Sequence, residues 1–244
     1  MTGIASYWAS GVFKPLAASV RALKLAAALG SLAFAAAAPA AALDVRQNAP
    51  GQFDFYVLAL SWSPSYCEAA SERGQMSRSQ NIQCGGRPYS FVVHGLWPQY
   101  ERGYPSYCQR PAPRLDRRLM SSMLDLMPAP GLIYNEWDKH GTCTGTSARA
   151  YFEEVRKARS SVRIPMEYMA LAQPKMVSPD EVEEAFVRVN PGLTRSSIAV
   201  MCDRHRLSEV RICMDKRLNF RSCEEIDRRA CRRDRVMMPP VRGG

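Results

Sequence analysis

Histidine is the side chain whose ordinary pKa lies closest to working pH, so it is the first place to look for proton transfer. The 244-residue chain has three histidines, at positions 94, 140 and 205. His94 ends the apolar run FVVH and is followed by GLWPQY; His140 sits in NEWDKHGTC, with Glu136 four residues before it and Lys139 adjacent. On a helix, residues four apart share a face, so Glu136 and His140 would point together with Lys139 near that side. Two imidazoles, a carboxylate and an ammonium make a metal-free phosphoryl-transfer set. One imidazole takes a proton from an attacking hydroxyl, the other returns one to the leaving oxygen, and lysine steadies the charged phosphorus centre. The bland readings stand beside this one. A histidine next to an apolar strand is commonly packed or solvated, and Glu136 with Lys139 would ordinarily be a solvated helix face. A zinc site from His94, His140 and Glu136 is chemically open too, although nothing has H-E-x-x-H spacing. Spacing alone stops at an acid–base site. His205, between Arg204 and Arg206, reads as an exposed turn residue and is given no role.

These residues need a scaffold. Phe53 to Trp62 (FDFYVLALSW) reads as a buried strand stopped by Ser63-Pro64, and Tyr89 to His94 as a second strand ending at a turn-forming Gly95. Residues 68–88 read as a polar loop closed by cysteines, and Pro98 to Pro113 as another loop. Leu115 to Met127 places Leu115, Leu119, Met123 and Leu126 on one helical face; Ile133 to Cys143 is short and suggests a helix start. Ala148 to Ser160 and Pro179 to Val189 are stronger helices. The second begins with Ser178 as N-cap, Pro179 at the first position and Glu181 completing a capping box. Ser197 to Cys202 and Leu207 to Met214 read as strands, with Arg217 to Cys223 as a third candidate. From Arg228 the tail is strongly basic. No repeat or inter-domain linker interrupts the pattern, and one α+β domain is the simplest reading.

The composition, 46% hydrophobic and 23% charged, is that of a globular protein and excludes wholesale disorder. A formal charge of +10 favours polyanionic partners. Residues 1–42 hold no acid, three basic residues, an Ala-rich apolar run and a small-residue end, as a secretory signal does, with Ala42 preceding the preferred cleavage point. Removing it lowers the charge from +10 to +7 and leaves a mature domain of residues 43–244 with no membrane attachment. The runner-up is an uncleaved anchor, against which the run is short. The eight cysteines, Cys67, Cys84, Cys108, Cys143, Cys202, Cys213, Cys223 and Cys231, all follow the signal. An even number in an exported chain reads as four disulfides, and no C-x-x-C supports a metal site.

HGLWP at 94–98 and EWDKHGTC at 136–143, in this order, resemble the two active-site segments of the ribonuclease T2 family, and LALSWSP at 58–64 resembles its N-terminal strand. The strong similarity spans residues 53–143. The resemblance implies an α+β fold with a central antiparallel sheet flanked by helices and stapled by disulfides. It implies an exported, periplasmic or secreted, endoribonuclease of broad base specificity. RNA would be cut through a 2′,3′-cyclic phosphate without metal or cofactor, and DNA would be inert for lack of the 2′-hydroxyl.

Carried over by position, His94 is the general acid for the leaving 5′-oxygen and His140 the base for the 2′-hydroxyl. Glu136 and Lys139 polarise or stabilise the phosphate, and Trp97 is a base-stacking ring, with a packed core tryptophan as its alternative. The chain departs from many members in having Asn135 where they have histidine. Asparagine can hydrogen-bond phosphate but carries no charge, so weaker phosphate binding and an altered pH profile are expected. The family pattern implies a Cys108–Cys143 bridge; Cys67–Cys84 closing the polar loop, and Cys202–Cys231 nested with Cys213–Cys223, are one arrangement of the rest, which the 105 connectivities of eight cysteines leave open. A monomer acting on RNA is the expected state. The rival class is an exported RNA- or surface-binding protein without turnover, and a metal-dependent phosphodiesterase is a third option.

Overall fold

The computed structural model describes residues 46–74, 78–85 and 87–241; the expected signal segment, 1–42, lies outside them. Strand β1, Phe55–Trp62, is apolar along nearly its whole length because it is central and covered on both faces. Its alternate residues Tyr56, Leu58, Leu60 and Trp62 enter the main core, whereas Phe55 and Val57 join a smaller cluster on the other face. The strand ends where expected, and Ser63-Pro64, read as its stop, opens a helix. Two helices, α1 (Ser63–Glu72) and α2 (Arg78–Gly85), replace the expected loop over 68–88. Proline is tolerated in a first helical turn, where its missing N–H has no partner to lose. The Cys67–Cys84 disulfide ties the two helices together.

Strand β2, Phe91–Gln99, continues past Gly95, which is not a turn. Helix α3 is a short piece, Arg117–Ser122, of the longer helix expected; Asp116 caps it by accepting from the N–H groups of Arg118 and Leu119. Helix α4, Pro130–Lys139, carries the second motif and buries Ile133, Glu136 and Trp137; a 3₁₀ turn, Gly141–Thr144, follows it. Helix α5, Ala148–Ser160, then leads to the short strand β3, Lys175–Val177. Helix α6, Pro179–Val189, forms with the expected capping box: Ser178 Oγ accepts from Glu181 N, and the Glu181 carboxylate from Ser178 N. Strands β4, Ile198–Cys202, and β5, Leu207–Met214, follow. The segment 217–223 is not a third strand, since only Phe220 bridges back, to Met214. Helix α7, Glu224–Arg228, and strand β6, Val236–Met238, complete the chain.

The central sheet is antiparallel in the order β2-β1-β5-β4, with β3 and β6 as a separate ribbon. Helices α5 and α6 contribute Phe152, Val155, Val182 and Phe186 to the core against one face of the sheet. Each such side chain contributes about 1.5–3 kcal/mol on burial. This is the α+β, disulfide-stapled arrangement expected. The four disulfides are Cys67–Cys84, Cys108–Cys143, Cys202–Cys231 and Cys213–Cys223.

Candidate active site

The first histidine owes its direction to a register shift. Ala59 pairs with Gly95 and Leu60 with Val93, so His94 is the extra residue of a β-bulge on β2. Bulges bend a strand and re-aim a side chain. Here the imidazole leaves the ladder toward two carboxylates. Its Nδ1 donates to Glu209 Oε1 on β5, two strands away, and its Nε2 lies 3.7 Å from Glu136 Oε1. Ser61 on β1, paired in register with Glu209, donates to Oε1 from 3.2 Å. Arg211 holds Oε2 from the same strand, with Nε at 3.0 Å and Nη2 at 2.9 Å.

Helix α4 supplies the other wall. The Glu136 side chain is only 2% exposed, and its Oε2 accepts from Trp97 Nε1 at 2.6 Å. The glycine at 95 makes this close approach possible. A Cβ there would lie 2.0 Å from Glu136 Oε2 and 2.4 Å from Trp97 Nε1. His140 caps the C-terminus of α4, its N–H donating to Glu136 O at 3.0 Å, so the expected shared face of the two residues forms. Its ring is buried, 5.4 Å from the Trp97 ring and 6.1 Å from that of Tyr104; Lys139 Nζ stands 5.8 Å over Tyr104. Trp97 is half-buried between the two imidazoles, with Arg211 at 5.0 Å from its ring centre. The Cys108–Cys143 bridge and the bond from Tyr107 N to Lys139 O fasten the loop after β2 to the end of α4.

The two imidazoles differ in electrostatic setting. Burial alone would lower His94, but the Glu209 hydrogen bond and the charges of Glu209 and Glu136 outweigh it, and the pKa is raised above 6.5. His140 faces no carboxylate in hydrogen-bond contact, and its Nδ1 has no partner among the described residues. Burial, then the positive charges of Lys139 and His94, push it down to about 3. Glu209 is also opposed by burial, yet His94 and Arg211 hold it down at about 2. Burial raises Glu136, with His94, Trp97 and Lys139 working the other way. At neutral pH one imidazole is biased toward its charged form and the other is neutral. That is the division of labour proton transfer in both directions requires.

The structure therefore brings His94, Trp97, Glu136, Lys139 and His140 to one place. Asn135 is exposed on α4, one turn before Lys139, and His205 is exposed in a turn. Among the described residues no group of three or more His, Cys, Asp or Glu side chains is set to hold a metal ion. Reading the sequence missed Glu209, Arg211 and Tyr104. The signal for the first two was present: two opposite charges at alternate positions of the otherwise apolar strand LSEVRICM.

Two imidazoles whose pKa values are shifted in opposite directions thus stand together on this antiparallel scaffold. The sequence model of the Ribonuclease T2 family matches residues 53–223, and the chain belongs to that family. A ribonuclease of Aeromonas hydrophila is 37% identical over 174 residues, 68% of this chain and 74% of its own. A probable ribonuclease of Haemophilus influenzae is 32% identical over 188 residues, 74% of this chain and 64% of its own length. Among solved structures, trichomaglin, described as an S-like ribonuclease, superposes with a TM-score of 0.62 at 21% identity, over 78% of this chain and all of its own. An RNase-related protein from Calystegia sepium gives 0.61 at 20%, over 78% of this chain and 98% of its own; both likenesses concern the fold.

Proposed function

We propose that the protein is an exported endoribonuclease that cleaves single-stranded RNA by metal-independent acid–base transphosphorylation, with broad base specificity. The observation that carries this reading is the asymmetry of the imidazoles, one between two carboxylates and one without any. Neutral His140 takes the proton from a ribose 2′-hydroxyl. The 2′-oxygen attacks phosphorus, the bond to the 5′-oxygen breaks, and His94 gives that oxygen its proton. The products are a 2′,3′-cyclic phosphate and a free 5′-hydroxyl; the same pair run in reverse would admit water to open the ring. Lys139 offsets charge on the phosphoryl oxygens. Glu136, whose carboxyl burial pushes up and His94, Trp97 and Lys139 pull down, holds Trp97 through Oε2 and, with Lys139, polarises the phosphate. Trp97 stands between the imidazoles and offers its half-buried ring to a base.

Export is supported by the leader-like composition of residues 1–42 and by four disulfides. No helix among the described residues is long and apolar enough to cross a membrane. The test is cleavage of a defined RNA and its DNA counterpart in excess EDTA, comparing the disulfide-bonded wild type with His140→Ala. The expected result is RNA-only cutting to cyclic-phosphate ends, abolished by the substitution. An intact, correctly bridged protein that cuts nothing from acid to neutral pH would overturn the reading in favour of an RNA-binding protein.

A further inference from the structure

Beyond the catalytic pair, the site opens into a small pocket of about 280 Å³ that touches His94 and Glu209, but not His140, and is also lined by Ser61 and Asp203. Asp203, in the turn after β4, also lines a larger open cleft of about 690 Å³. Around this second cleft stand Arg204, Arg229, Arg232 and Arg233, all exposed and gathered about the Cys202–Cys231 bridge. Arg229 is paired with Glu225, while among the described residues Arg232 reaches only the carbonyl oxygen of Arg228. Arg204 and Arg233 have no ion pair among the described residues. Among the described residues Asp203 is the one acid lining the cleft, and its Oδ1 accepts from the N–H groups of His205 and Arg206. Discounting Arg229, three arginines face one aspartate. Such an excess on an open surface suits a row of phosphates, each arginine offering a planar pair of donors.

The geometry points to this arginine cleft as a second RNA-binding site that holds the backbone phosphates of the strand 3′ of the cut. The inference rests on the proposed function, because it takes His94 as the group that protonates the leaving 5′-oxygen. The nucleoside bearing that oxygen then lies on the His94 side, away from His140, where the small pocket is. From there the strand runs past Asp203 into the cleft. The cleft does not act on the reacting phosphate; it raises capture of long RNA over short.

The test uses the mature, disulfide-bonded protein and DNA oligomers carrying one ribonucleotide, so that each has a single cleavable linkage. One substrate is a bare dinucleotide, one is extended on the 3′ side and one on the 5′ side. In the wild type kcat/KM should rise more with 3′ than with 5′ extension. In Arg204→Ala/Arg232→Ala/Arg233→Ala the ratio of 3′-extended to dinucleotide kcat/KM should fall about tenfold at low salt. The slope of log kcat/KM against log salt for the 3′-extended substrate should flatten by about 2, at roughly 0.7 per lost phosphate contact. The triple Lys variant should restore most of the ratio, since charge is kept. An unchanged ratio, or equal gain from either extension, overturns the inference. If the wild type cuts none of the three substrates, the proposed function falls and this inference with it. Cutting of the dinucleotide without a 3′ gain removes the inference alone. Should the Ala variant fail to fold, the 3′-against-5′ comparison in the wild type decides.

Discussion

Glu209 accepts a hydrogen bond from Nδ1 of His94 across the intervening strand β1, joining residues 115 positions apart in the chain. The carboxylate cannot swing away, because Arg211 grips its other oxygen and Ser61 donates to the first. A fixed acceptor on Nδ1 leaves Nε2 as the nitrogen that faces the Glu136 side of the site and sets the ring's direction.

This arrangement makes Glu209 a positioning residue with a pH signature. A carboxylate beside His94 favours its charged form, so Glu209→Gln lowers the pKa of His94. The plot of kcat/KM against pH should be a bell. Its acidic limb follows His140, near 3, and its alkaline limb follows His94, above 6.5. In Glu209→Gln the alkaline limb should move down by about one pH unit or more while the acidic limb stays. A loss of rate equal at every pH would mean that Glu209 serves only the fold.

Gly95 has no room for a methyl group. In Gly95→Ala the new Cβ must displace the Glu136 carboxyl and the Trp97 indole, breaking the bond between them. Because both are ends of side chains, the sheet should survive. Misplacement on the scale of 1 Å costs about a hundredfold in kcat. Steady-state kinetics with a circular dichroism spectrum would check this; wild-type kcat in a folded variant would refute it.

At position 135, histidine in place of asparagine adds a titratable cation four residues before Lys139 on the exposed face of α4. Below about pH 6.5 an exposed histidine is charged, so Asn135→His should lower KM for RNA a few-fold there and leave it unchanged above. Identical KM profiles for the two proteins would remove residue 135 from the site.

Buried, neutral His140 also burdens the fold in acid. Its folded-state pKa is depressed to about 3 from 6.5, so between those values the unfolded chain binds the proton and the folded chain does not. Stability contributed by the neutral ring is present above 6.5 and is lost as pH falls toward 3, by up to about tenfold in the folding constant per pH unit. Urea unfolding with disulfides intact, comparing wild type and His140→Gln, should show the variant gaining on the wild type as pH is lowered through this window. A constant difference between them would contradict the depressed pKa.

Much of the scaffold was legible because its signals are local. Helix α6 has its capping box and Pro179, and α5 and β5 have the bounds their periodicity suggests. Helices α1 and α2 were not, because a polar, glycine-dotted stretch carries little periodicity and here the Cys67–Cys84 bridge ties the two helices together. Gly95 read as a turn because glycine usually marks one. In the structure it keeps a strand and yields its side-chain space to Glu136 and Trp97.

By itself the sequence determined which groups are available: the two motif segments, His94 and His140, Glu136 and Lys139, and an even set of cysteines after a leader-like stretch. Only the tertiary structure decided that the pKa values of the two imidazoles are pushed in opposite directions. A pKa depends on burial and on charges brought within a few ångströms, and for His94 the decisive charge comes from Glu209 on a strand far along the chain. No spacing within either motif encodes that neighbour, because sheet order and register, together with one bulged residue, create it.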